Sequence, residues 1–161
     1  MAISSVDVQT DINNTQKNIL DLDNQINAFN YKIKNIEAKI IELENERNIM
    51  NDSYQVIADL QGSLISDIKS LEPSSVCIQE IQSTVPSEIN SKCTSALKTA
   101  EMVILKIEMQ IKNARKEADS YIDQVTSCQQ QQENCRSTLN DLNTEFTQAQ
   151  EEEATAAACG M

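Results

Sequence analysis

Isoleucine recurs every seven residues at Ile12, Ile19, Ile26, Ile33 and Ile40, and a second apolar set falls between these positions. That set runs Val8, Thr15, Leu22, Phe29, Ile36, Leu43, Met50, Ile57, Leu64 and Leu71. Steps of three and four residues in alternation are the a/d pattern of a heptad, so residues 8–71 predict a long helical arm with one apolar stripe. The a row weakens at Arg47, Tyr54 and Gln61 while the d row holds the frame. Gly62 costs about 1 kcal/mol relative to Ala in a helix interior, and a bend is expected between Asn51 and Gly62.

Both prolines, Pro73 and Pro86, follow in a Ser-rich stretch where the pattern stops. Proline removes a backbone donor and clashes with the preceding turn, so each is expected at a helix boundary. Residues 72–92 therefore predict a connector with one short helix, capped by Ser74 or Ser75 and ending near Ser83. The heptad then resumes. Its a row is Leu97, Ile104, Ile111, Ala118, Val125, Gln132, Leu139 and Phe146. Its d row is Cys93, Ala100, Ile107, Ala114, Tyr121, Cys128, Cys135, Leu142 and Ala149. Residues 93–153 read as the second arm, and residues 154–161 lose the pattern and are expected to fray.

These elements predict an all-α fold in a single domain, residues 1–161, built from long antiparallel helices with heptad seams. Polar seam residues Arg47, Gln61 and Gln132 are expected to set the register. Lys32 with Glu37 and Lys39 with Glu44 stand at g and following e positions, where coiled coils form interhelical ion pairs. Composition agrees: 161 residues hold only 2 Gly and 2 Pro, with 3% aromatic side chains, which suits long helices packed through Ile, Leu and Ala.

The cysteines complicate the straight arms. Cys77, Cys93, Cys128, Cys135 and Cys159 all lie in the C-terminal half. Cys128 and Cys135 flank "QQQQEN", and on one helix they share a face yet stand roughly 10 Å apart. A disulfide needs Cα atoms within about 7 Å. Cys77 and Cys93 could staple the connector, but Cys128 would lie roughly 50 Å beyond Cys93 on a straight helix. Either the second arm breaks near residues 128–135 and folds back into a disulfide-stapled bundle, with Cys159 left unpaired, or the arms form a straight hairpin. In the hairpin, Cys128 and Cys135 are reduced core residues or pair with a second chain.

A net charge of −12 and a pI near 4.3 oppose nucleic acid and anionic membrane surfaces as partners. No stretch approaches the roughly 20 apolar residues that span a bilayer. The first residues lack the basic start and apolar run of a signal peptide, which fits a cytoplasmic chain or a mature secreted one. Asn13 and Asn51 head N-x-S/T triplets and are candidate glycosylation sites. With the cysteines, they make a secreted chain the first expectation and a cytoplasmic one the alternative.

Catalytic chemistry finds little to stand on. There is no His, hence no Ser-His or Cys-His pair and no imidazole ligand. No C-x₂-C pair occurs, and Gly62 and Gly160 cannot form a phosphate-binding glycine loop. Glu151–Glu153 read as a solvated charge run. The expectation is a non-enzyme without cofactor or metal.

The segment "SVCIQEIQSTVPSEINSKCTSAL" with the later "SCQQQQENC" resembles secreted helical proteins of insects, among them the helical C-terminal domains of mosquito salivary aegyptin-type proteins. The resemblance covers Ser75 to Cys135. It implies a secreted, disulfide-stapled helical domain that binds a host protein, a salivary effector modulating haemostasis or immunity. The family's acidic Gly-Glu repeat does not occur in this chain, and no binding residue is carried over. The alternative is an intracellular coiled-coil scaffold or tether that forms a homo-oligomer through its seam.

Overall fold

A computed structural model of the chain describes residues 4–159. It is all-α: helix α1 spans Ser5–Ser70, helix α2 spans Val76–Ala158, and the two pack together. No strand occurs among the described residues. No described helix is long and apolar enough to cross a membrane.

Local chemistry explains where each helix begins and ends. At the start of α1 the Ser4 carbonyl accepts from the Asp7 and Val8 amides, and Ser4 Oγ accepts from the Val6 amide at 3.2 Å. Asp7 in the first turn and Lys69 in the last complement the helix dipole. The end of α1 leaves carbonyls without intrahelical partners. The Gln82 amide crosses from α2 to donate to those of Ile68 at 3.2 Å and Leu71 at 2.5 Å. Ser75 caps α2: its Oγ accepts from the Ile78 amide at 3.4 Å, and its carbonyl from the Gln79 amide at 3.1 Å.

Four boundaries differ from expectation. The connector is not 72–92 but the few residues between Ser70 and Val76, because Pro86 sits inside α2 rather than at its start. A helix of 83 residues retains nearly all its hydrogen bonds when one proline removes one donor, so packing outweighs the local cost of about 3 kcal/mol. Residues 128–135 stay helical, since glutamine is a good helix former and no Gly or Pro forces a turn there. Helix α1 likewise runs without interruption through Asn51–Gly62. The tail remains helical to Ala158, its alanines being the strongest helix formers.

Contacts divide the chain into two units. The first joins the chain up to Asn35 with the chain from Glu117 onward. Its buried apolar residues are Val8, Ile12 and Leu22 of α1 and Ala118, Cys128 and Ala149 of α2. Across this unit Ser5 meets Glu153, Asp23 meets Gln132, Gln25 meets Cys128, and Phe29 meets Tyr121. The second unit, Ile36–Lys116, holds the tight cluster of Leu43, Ile107 and Ile111, against which Ile40, Met50 and Val103 pack. Ala100 and Ala114 complete its buried set. Every buried apolar residue in both units stands on the a and d rows, and no polar side chain is buried among the described residues.

The rows do not hold to the end of α1. Leu64, and Leu71 one residue past the helix, belong to the d row, yet they are 46% and 47% exposed. The half-buried positions there are Ala58, Gln61, Ile65 and Ile68. An unstrained helix drifts about 20° per heptad against a seven-residue repeat, and over several heptads the drift carries one row outward.

Candidate functional site

The two units present different surfaces. In the first, Phe29 and Tyr121 stack with ring centroids 5.8 Å apart, and Lys32 Nζ lies 4.9 Å from the Tyr121 centroid. The ammonium over a ring face is a cation–π contact, worth roughly 0.5–1 kcal/mol at an exposed site. Lys32 thus works against aromatic rings within the chain. Further along, the Cys128 thiol donates weakly to Gln25 Oε1 at 4.0 Å, and Gln132 Nε2 donates to Asp23 Oδ1 at 2.5 Å. Beside them an open groove of about 480 Å³ runs between Leu22 and Cys135, edged by Asn18, Asp21, Gln131 and Asn134. The three amides, one carboxylate and a thiol can hydrogen-bond a polar ligand, but they supply no general base paired with a nucleophile. No cluster of three or more potential metal ligands occurs among the described residues.

The second unit is bound by three polar crossings. Arg115 Nη2 and Glu44 Oε1 form an ion pair at 2.7 Å, so Glu44 pairs across the helices. The Arg115 side chain is 61% exposed, and a pair so open to solvent adds well under 1 kcal/mol. Tyr54 Oη donates to Glu101 Oε1 at 3.0 Å, and the acceptance by that carboxylate, with its charge, raises the Tyr54 pKa. Gln61 Nε2 donates to Asn90 Oδ1 at 2.7 Å. Gln61 and Gln132, polar residues on the a rows, therefore each make a cross-helix hydrogen bond.

All five cysteine thiols are unbonded. Cys77, Cys93, Cys128 and Cys135 lie on α2 and Cys159 one residue past its end, with no two closer than seven residues in sequence. An uninterrupted helix separates such residues by roughly 10 Å or more, so no pair among them reaches bonding distance. The Cys77–Cys93 staple fails for this reason: helix replaces the expected loop between them. Cys128 is buried, Cys93 and Cys135 are half-buried, and Cys77 and Cys159 are exposed. Asn13 and Asn51 are both exposed, inside α1 rather than in loops.

Sequence reasoning missed most of the residues that make cross-helix bonds: Asp23, Gln25, Gln82, Asn90, Glu101, Arg115 and Glu153. Gln82 caps the end of α1, and Glu153 accepts from the Ser5 amide at 2.9 Å and the Ser5 hydroxyl at 2.8 Å. A glutamine and a glutamate within polar runs carry no local signal of such roles. No protein-family model, curated protein or solved structure matches the chain.

Proposed function

We propose that the chain is a non-catalytic coiled-coil scaffold or tether, whose helices pair through an antiparallel heptad seam and whose outer surface engages proteins. The observation that carries this reading is the confinement of burial to the a and d rows, which leaves the other faces of both helices to solvent. The antiparallel register is supported in the second unit by contacts whose residue numbers rise on α1 as they fall on α2, from Glu44–Arg115 through Tyr54–Glu101 to Gln61–Asn90. The sequence supports a non-enzyme through its lack of His and of any glycine-rich phosphate loop. A partner would be recognised by exposed helix surface, with a net charge of −12 favouring basic proteins over nucleic acid.

A secreted, disulfide-stapled binder of a host protein is the second reading. Placement of every cysteine on or just past one helix favours the tether, in which the thiols stay reduced. Intact mass after blocking free thiols, with and without reduction, separates the two. Five blocked thiols are the expected result. Two intramolecular bridges would overturn the tether and restore the folded-back secreted bundle.

A further inference from the structure

Exposed large apolar side chains are distributed unevenly. Eleven fall in the second unit, Ile36–Lys116, and four in the first, although the units are nearly equal in length. Five of them lie in line along the end of α1, Ile49, Val56, Leu60 and Leu64 within the helix and Leu71 one residue past it, between 46% and 63% exposed. Steps of seven, four and four residues keep the first four within one side of a helix of 3.6 residues per turn. The outward drift of Leu64 is what completes the part of this line that lies in α1. Glu42 and Glu46 precede it on the same side, Asp67 lies within it, and Asp52 borders it; all four are exposed.

Helix α2 carries the counterpart. Met102, Leu105 and Met109 share one face at 52%, 61% and 63% exposure. Lys98 lies before them, Lys106 beside them, and Lys112 and Lys116 beyond them, all exposed. None of these lysines or acidic residues forms an ion pair among the described residues; Arg115–Glu44 uses neither set. Over the whole unit, the α1 stretch 36–70 has 3 basic and 7 acidic residues, a net of −4, and the α2 stretch 76–116 has 6 basic and 4 acidic, a net of +2.

We propose that these are the two halves of a self-association surface: the acid-bordered apolar line of α1 in one copy docks on the lysine-bordered apolar face of α2 in a second copy. The occupant is a second copy because the chain itself displays both complementary patterns, apolar centres of matching character and charges of opposite sign. An apolar centre rimmed by complementary charge is the general anatomy of a protein interface. The inference goes beyond the scaffold reading, since it holds whether or not another protein is also bound. It also differs from an oligomer formed through the heptad rows, which apart from Leu64 and Leu71 are already occupied within the chain.

Sedimentation equilibrium on the full chain tests it. The expected result is a mass of at least twice 18.0 kDa at micromolar concentration, with association weakening as salt is raised. Lys98→Glu, Lys106→Glu and Lys112→Glu together should weaken association roughly tenfold or more. Adding the Glu42→Lys, Glu46→Lys variant to that triple variant should restore it in the mixture. All five positions are exposed, so far-UV circular dichroism should show unchanged helix content in each variant. A monomer of 18.0 kDa, or an oligomer indifferent to these substitutions, overturns the proposal. Loss of helix in a Leu43→Asp variant, by contrast, reports on the heptad pairing and leaves the docking surface to be judged by the charge swaps.

Discussion

Glu153 and Ser5 show how single side chains hold the first unit. Ser5 opens α1, where backbone amides lack intrahelical partners, and Glu153 accepts from both its amide and its hydroxyl. The amide hydrogen bond, then the hydroxyl one, lowers the Glu153 pKa. A carboxylate with a depressed folded-state pKa contributes stability that is present above its unfolded value, about 4.3, and lost as pH falls through the lowered folded value. The first-turn amides of α1 should therefore lose protection from hydrogen exchange only at pH below the ordinary Glu range, and Glu153→Gln should abolish that step. Tyr54 has the opposite sign. Its raised pKa means that the Glu101 bond contributes below the ordinary tyrosine value, about 10, and is lost as pH rises through the folded value. Ultraviolet titration of the phenolate should place Tyr54 above that value, and Glu101→Gln should bring it back. At the centre of the other cluster, Leu43→Ala should cost about 2–4 kcal/mol in denaturant unfolding, since Leu43 packs with Ile107 and Ile111.

The elements tolerate residues that usually break helices, and those positions are where stability can be gained. Gly62 lies inside α1, and a Cβ added there meets nothing within 4 Å. Gly62→Ala should raise stability by about 0.5–1 kcal/mol, read as an upward shift in melting temperature. A decrease would mean that the glycine serves a bend after all. Pro86 lies ten residues into α2, and its neighbours stay helical because Val85 and Ile89 remain half-buried against the rest of their unit. Helix continuity also orders the thiols. A thiol reagent should modify Cys77 and Cys159 first, Cys93 and Cys135 more slowly, and Cys128 last, with peptide mass mapping following each site.

Across the whole molecule, charge is divided as unevenly as exposed apolar surface. The unit formed by residues up to Asn35 and from Glu117 carries 4 basic and 13 acidic residues, a net of −9, against 9 and 12, a net of −3, in Ile36–Lys116. Self-repulsion opposes the compact state and is screened by salt. Moderate salt should therefore slow amide exchange more in the first unit than in the second, measured by mass spectrometry on peptides from each. The sequence alone was sufficient for helix type and for the burial of the small residues Ala100, Ala114 and Ala118, because apolar spacing of three and four residues is a local property that a helix gathers onto one face. It was equally sufficient for the poverty of catalytic groups, a matter of composition. Three features needed the tertiary structure. Pro86 entered a helix because packing along α2 outweighs one lost hydrogen bond. Cys77 and Cys93 were separated beyond bonding reach because their expected loop became helix. Leu64 turned outward because angular drift accumulates over many turns, and the facing helix, not the repeat, decides which row stays inside.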